Sequence, residues 1–293
     1  MRLKNLSLFV ILTIFASFVC LINLTNAADL NTTQGLSISP VNSFTNISAG
    51  QSQVNTIEIG DYTTQPLNIN LFIKSFRVVN YNYNYQFTNP INNWIKISQT
   101  EVNLRPGEYT GVDYTIKIPA NTSAGGYYYA IFASATVPQA SLNVSLQAVS
   151  IVYLTIKGKL IETSNLVSNS ISHLIFGKTI NYEINIKNTG NVNYFIYLNT
   201  RLRGYMLRPS QTQVAHLLLP NTIRTVDGAI LSPYLPGIYK VDYGYRTDSG
   251  AQVKLSSYVV FIPPWSIATV VLILMIVFYI SEHRKNRPKK FKL

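Results

Sequence analysis

The stretch Leu67-Asn68-Ile69-Asn70-Leu71-Phe72-Ile73 sets the fold class. Leu67, Ile69, Leu71 and Ile73 recur every second residue among mostly polar neighbours. An extended chain carries such residues on one face and turns the others to water. Val112-Asp113-Tyr114-Thr115-Ile116-Lys117-Ile118 has the same alternation, and Val54-Asn55-Thr56-Ile57-Glu58-Ile59 is a third run of this kind. Between residues 28 and 262 no stretch reads as a convincing amphipathic helix. Short runs of Val, Ile, Thr, Tyr and Phe are split by Asn, Gly, Pro and Ser, the pattern of a β-sandwich.

Turn chemistry punctuates the strands. Leu104-Arg105-Pro106-Gly107-Glu108 places a Pro-Gly pair between two of them. Residues 119–126 form a loop before Tyr127-Tyr128-Tyr129-Ala130-Ile131-Phe132. That aromatic run lacks clean alternation and reads as a central strand buried on both sides. The pattern then restarts. Ile151 to Gly158 ends a first unit, Thr163 to Ser170 is a polar joint, and Ile180 to Ile186 opens a new strand set. Asn188-Thr189-Gly190-Asn191 is a turn of residues that tolerate positive φ. Leu235-Pro236-Gly237-Ile238-Tyr239 echoes the earlier turn-then-strand order too loosely to be a sequence repeat. The expected fold is all-β: two tandem Ig-like β-sandwiches over residues 29–158 and 161–262, plus a single C-terminal transmembrane helix.

That helix is expected over residues 263–280, within an apolar run from Phe261 to Ile280 that is long enough to span a bilayer. Trp265 and Tyr279 mark its interfaces, and the basic tail 281–293 is expected to stay in the cytoplasm by the positive-inside rule. Residues 1–27 read as a signal peptide. Arg2 and Lys4 precede an apolar core, and Thr25-Asn26-Ala27 supplies small residues for cleavage. An uncleaved anchor is the competing reading of this segment. Together the two ends predict a single-pass plasma-membrane protein with its ectodomain extracellular. They also explain much of the net charge of +12: the tail after Tyr279 supplies +5 and the first four residues +2. The charged fraction is only 12%, and no basic stripe lies between the ends, so a nucleic-acid footprint is not expected. The one cysteine, Cys20, lies in the signal segment, where Val19 before it suits a lipid-modification signal poorly. The exported chain therefore has no disulfides, which points to a bacterial-type export product.

In this order, GLSISP at 35–40, LRPGE at 104–108, YTIKIP at 114–119 and NTSAGGYYYAIF at 121–132 resemble the first domain of the WxL-interacting proteins. NTGNV at 188–192 and PGIYKV at 236–241 fall where that family has its second Ig-like domain. The resemblance implies peptidoglycan binding by the first domain and contact with WxL-type surface proteins or host matrix by the second. It supplies no ligand residues.

No catalytic constellation stands out, and the chain reads as a non-enzyme without a cofactor or metal site. His173 and His216 sit singly among apolar neighbours, without metal-pair spacing. Glu101 and Glu108 flank a turn and are paired only by proximity. Asn31, Asn46, Asn121 and Asn143 fit the N-x-Ser/Thr pattern, which arises by chance in an Asn-rich chain. The binding candidates are Tyr81, Tyr83, Tyr85 and Phe87, with Trp94 after them. If this arm is extended, four aromatics share one face and amides the other. It then either stacks on a sugar or protein partner or packs on its own domain. The expected function is a membrane-anchored cell-surface binding protein for cell-wall glycan (peptidoglycan) and/or a WxL-type surface protein. The alternative is an assembly subunit that pairs strand edges.

Overall fold

The computed structural model describes residues 35–139, 142–204 and 214–285. The signal peptide, Cys20, the Asn31 sequon and tail residues 286–293 lie outside the described residues. Eighteen strands and one helix are described.

The six- and seven-residue alternations become strands as their pattern requires. β1 (Leu36–Ser39), β3 (Ser52–Asp61), β8 (Tyr109–Lys117) and β6 (Ile95–Ile97) form one sheet in the order β1-β3-β8-β6. Facing it is a second sheet, ordered β2-β10-β9-β4-β5: β2 (Asn42–Ile47), β10 (Leu142–Ile156), β9 (Gly125–Gln139), β4 (Leu67–Val78) and β5 (Tyr85–Thr88). β7 (Glu101–Leu104) pairs with the start of β4. Leu67, Ile69 and Leu71 are buried, as are Val112, Tyr114, Ile116 and Ile118, so both alternations point inward as expected. They meet Ile57, Ile59, Ile131, Val152, Leu154 and Ile156 in an almost wholly aliphatic core.

The second half repeats the plan. β11 (Ser164–Ile171), β13 (Thr179–Asn188) and β16 (Ile223–Leu231) form a three-stranded sheet. β12 (Leu174–Ile175), β18 (Gln252–Phe261), β17 (Gly237–Thr247), β14 (Tyr194–Arg203) and β15 (Ala215–Leu218) form a five-stranded one, in the order β12-β18-β17-β14-β15. In each half the first strand changes sheets. β1 runs antiparallel to β3, and after Pro40 the chain continues as β2, parallel to β10. β11 runs antiparallel to β13, and β12 then runs parallel to β18. The chain therefore folds as two Ig-like β-sandwiches followed by an apolar helix, α1 (Pro264–Lys285).

The Tyr127–Phe132 run lies in β9 and is buried from both sides. Tyr127, Tyr129 and Ile131 pack on the aliphatic core, while Tyr128, Ala130 and Phe132 face away from it. On that second face they join Phe76, Tyr153, Tyr194, Leu218 and Val226 in a cluster that runs into the second sandwich. The halves meet again at the Asn188–Asn191 turn. The Asn191 side chain donates to Ala124 and Lys159 carbonyls and accepts the Ile161 N–H. Gly190 is required there, because a Cβ at that position would lie 1.9 Å from the Ile161 oxygen.

Candidate functional site

The aromatic arm is not one extended face. Tyr81-Asn82-Tyr83-Asn84 is a turn, and only Tyr85–Thr88 is strand. The Asn80 side chain accepts the Asn84 N–H at 3.1 Å, and Tyr83 has a φ of 64°. Asn is suited to closing such a turn on its own backbone. The positive φ rotates Tyr83 out of the alternation that an extended backbone would impose.

Tyr83 inserts between the sandwiches and is 9% exposed. Its hydroxyl hydrogen-bonds the Thr222 hydroxyl at 2.6 Å and accepts the Leu219 N–H at 2.6 Å. The Arg224 guanidinium lies 4.3 Å over its ring. Burial pushes the Tyr83 phenol pKa upward, with the two hydrogen bonds and Arg224 opposing it. Tyr81 is exposed, but its carbonyl accepts the Thr225 N–H at 2.8 Å. Tyr85 bonds the Tyr153 hydroxyl at 3.2 Å and packs on Phe76 at 4.7 Å. Phe87 stands edge-on to Phe132 at 4.9 Å and stays 38% exposed. Trp94 is separate from all of these, edge-on to Tyr127 at 4.7 Å beside the aliphatic core. The structure thus brings Tyr81, Tyr83 and Tyr85 to the junction, leaves Phe87 on the sheet beyond it and places Trp94 elsewhere.

Two of the other candidate side chains, Glu108 and His173, have local partners. The Glu108 carboxylate accepts the Arg105 N–H at 2.9 Å and so closes its own Pro-Gly turn. Glu101 is exposed on β7. His173 Nδ1 contacts the Tyr258 carbonyl at 3.0 Å. Burial, then Arg224, holds His216 below the ordinary imidazole pKa, with Asp227 opposing. Among the described residues no group of three His, Cys, Asp or Glu is placed to hold a metal ion.

A different feature stands open. β10 pairs with β9 along its whole length, from Leu142 to Ile156, but β2 covers its other side only from Ile151 onward. The reason is the sheet change at Pro40: the preceding strand belongs to the facing sheet. The Ser150 hydroxyl donates to the Pro40 carbonyl at 2.6 Å, and the Ile151 N–H donates to the Val41 carbonyl at 2.8 Å, where the cover begins. Ile151 bonds outward, so the two-residue repeat turns the N–H and C=O of Asn143, Ser145, Gln147 and Val149 to the same open side.

The side chains of this edge are suited to pairing. Leu146 and Ala148 are half-buried against the aliphatic core, and Val144 is 37% exposed on the same face. Residues 142–150, LNVSLQAVS, contain no charge. Natural edge strands are usually protected by charge, bulges or shortness. Among the described edge stretches of eight residues or more, β16 carries Arg224 and Asp227, β18 carries Lys254, and β11 is interrupted by a bulge at Leu166/Ser168. Residues 142–150 have none of these devices. The sequence did carry the signal, in Leu142, Val144, Leu146 and Ala148 at alternate positions. What it did not carry was which side of that strand lacks a neighbour.

No family model matches the chain, and no curated protein matches it. Solved structures similar to it include the class 5 fimbriae chaperone CfaA, at 14% identity over 78% of this chain and 100% of that one, with a TM-score of 0.40. The CsuC–CsuE chaperone–tip adhesion subunit pre-assembly complex of Acinetobacter baumannii archaic chaperone-usher pili is similar at 15% identity over 77% and 97%, TM-score 0.40. The Salmonella enterica SafA pilin with the SafB chaperone is similar at 11% over 78% and 97%, TM-score 0.38. These are fimbrial chaperone structures and not WxL-interacting proteins, so the resemblance to the WxL-interacting family is corrected. Two of the motifs that suggested it, LRPGE and NTGNV, are turn chemistry. LRPGE closes through Glu108 on Arg105, and NTGNV closes through Asn188, whose side chain accepts the Gly190 N–H and donates to the Val192 carbonyl. Any Ig-like sandwich with turns at those places needs such residues.

Proposed function

We propose that this chain is a membrane-anchored assembly protein that captures an extended segment of a protein partner by strand addition along residues 142–150 of β10. The observation that carries the reading is the uncharged, unbulged edge of that strand. Its outward N–H and C=O groups at 143, 145, 147 and 149 match the backbone of an incoming strand. Each backbone hydrogen bond made there contributes about 0.5–1.5 kcal/mol net. Specificity comes from the Val144, Leu146 and Ala148 face, which favours a segment with apolar residues at alternate positions. The anchor is α1, apolar from Pro264 to Glu282 with a mean hydropathy of 2.1 and none of that stretch buried against the fold. Together with the basic tail and the signal-peptide reading, this supports a single-pass plasma-membrane protein with the sandwiches outside.

The test is photo-crosslinking in cells from a probe at Val144, which is 37% exposed on the same edge, with Ser145 kept and with Ser145→Pro added. The Ser145 N–H points outward, so proline there removes no bond to β9, and proline is tolerated at such edge positions. The expected result is one dominant protein adduct, lost with Ser145→Pro while the protein stays folded. Adduct yield unchanged by Ser145→Pro refutes the reading.

A further inference from the structure

We infer that the end of the second sandwich from which α1 emerges rests in the membrane interface, through a collar of exposed apolar side chains that contacts lipid directly. This inference rests on the membrane-anchored reading and extends it from the helix to the folded domain.

The collar is set by register. Leu174 on β12, Val260 on β18 and Ile238 on β17 lie in one row across three adjacent strands. They are 54%, 38% and 73% exposed. Tyr258, 65% exposed, is the next outward residue on β18. Phe176 and the Tyr234-Leu235 pair lie on two loops at the same end, 49%, 50% and 42% exposed. Ser232 holds those loops together, its N–H on the Lys178 carbonyl at 2.9 Å and its hydroxyl on the Gly177 carbonyl at 3.0 Å. Among the described residues of the second sandwich, the other exposed large apolar side chains are Ile161, Val167 and Val214. The apolar exposure is therefore concentrated at one end, where isolated surface apolar residues would be scattered.

Two features name a bilayer as the occupant. The first is the absence of slack. The Ile262 N–H is bonded to the Ile175 carbonyl at 2.8 Å, so the sheet holds the chain up to Ile262. Only Pro263 separates that residue from the first residue of α1, Pro264. The apolar stretch Pro264–Glu282 has 19 residues. At ~1.5 Å rise per residue it spans about 28 Å, close to the ~30 Å hydrocarbon core. A helix with no length to spare must begin at the hydrocarbon boundary. The Leu174–Ile238–Val260 row then lies at most about 13 Å from Pro264, four residues of extended chain. Phe176 and Leu235, one and two residues beyond the level of Ile175, Phe261 and Gly237, stand closer, within the interfacial layer of roughly 5–8 Å on each side of the core. The second feature is charge. Segments 172–180, 232–241 and 257–265 contain Lys178, Lys240 and His173 and no Asp or Glu. Apolar and aromatic side chains with lysines and no carboxylates suit an anionic headgroup layer.

The test uses full-length protein in a Cys20→Ala background, in phosphatidylcholine–phosphatidylglycerol vesicles carrying doxyl-labelled lipid. A fluorophore is placed in turn at Ile238→Cys, Ile273→Cys and Ile91→Cys. Ile273 lies within α1, and Ile91 is a 90% exposed residue of the first sandwich. Quenching is expected at 273 by deep labels and at 238 by shallow labels, and at 91 by neither. Quenching at 273 with none at 238 overturns the collar and leaves the anchor standing. A probe at 238 shielded from aqueous iodide but not quenched by lipid means a second copy covers that end, which also overturns it. No lipid quenching at 273 overturns the anchored reading itself, and the collar with it.

Discussion

In the first sandwich, β10 leaves residues 142–150 unpaired on its outer side; in the second, β18 leaves residues 252–259 unpaired in the corresponding position. The topology creates both openings, because in each half the first strand departs to the facing sheet and returns as a short parallel partner. The two edges differ in their side chains. β10 presents Val144, Leu146 and Ala148 beside a core that is only half covered there, with no charge along the run. β18 presents Lys254 along its edge and leads, after its last paired residues, directly into α1. One backbone plan therefore yields an edge open to addition and an edge that is guarded and tethered. The cores differ as well. The aliphatic core of the first sandwich is closed within that sandwich, whereas the second core is continuous with aromatic residues of its neighbour, Phe76, Tyr83, Tyr128 and Tyr153 among them.

The largest expected effect tests the shared cluster. Tyr83→Ala truncates a buried aromatic side chain, a change that typically costs about 3–5 kcal/mol. The cost should fall on the second sandwich and the junction, because Tyr83 does not touch the closed aliphatic core. Chemical denaturation followed by probes in each half should show the second sandwich unfolding earlier and the first unshifted. A joint shift of both transitions contradicts the contrast between the cores. Next, Gly190→Ala forces a methyl onto the Ile161 carbonyl, and overpacking of this kind costs about 1–3 kcal/mol. Differential hydrogen exchange should show the loss concentrated at residues 157–163 and 188–192.

The edge contrast is sharpened by exchanging its chemistry. Gln147→Lys charges the open edge and Lys254→Val uncharges the guarded one. Both are exposed strand positions, so each should change stability by less than about 0.5 kcal/mol. Gln147→Lys should reduce partner crosslinking, and Lys254→Val should raise self-association measured by sedimentation. Equal behaviour of the two variants means charge is not what separates the edges. The smallest effect is a pH slope from His216 at the junction. Its folded pKa lies below the unfolded value near 6.5, so its contribution to stability is complete above pH 6.5 and declines as the pH falls toward the folded value. Urea midpoints between pH 7.5 and 5 should show this decline, and His216→Gln should flatten it.

Several features were legible from local pattern alone. The Leu67–Ile73 and Val112–Ile118 alternations gave the right buried faces because period two leaves one choice of inward side. The Tyr127–Phe132 run signalled burial on both faces because it offered no polar side to water. The aromatic arm was read either as an extended binding face or as packing on its own domain, and the extended reading assumed negative φ at Tyr83. Asn80 and a partner surface 139 residues along the chain, at Thr222, decide otherwise. The WxL resemblance failed for a related reason: Pro-Gly-Glu and Asn-Thr-Gly encode turns, and turns recur wherever strands do.

The sequence by itself determined the β class, the places of the turns and the apolar C-terminal helix, since each follows from residue type and spacing over a few neighbours. Only the tertiary structure decided that Tyr83 is a junction residue and that residues 142–150 have an unpaired side. A backbone edge is open or closed according to which distant strand lies beside it, and that placement depends on packing of the whole sheet, not on any residue in the edge.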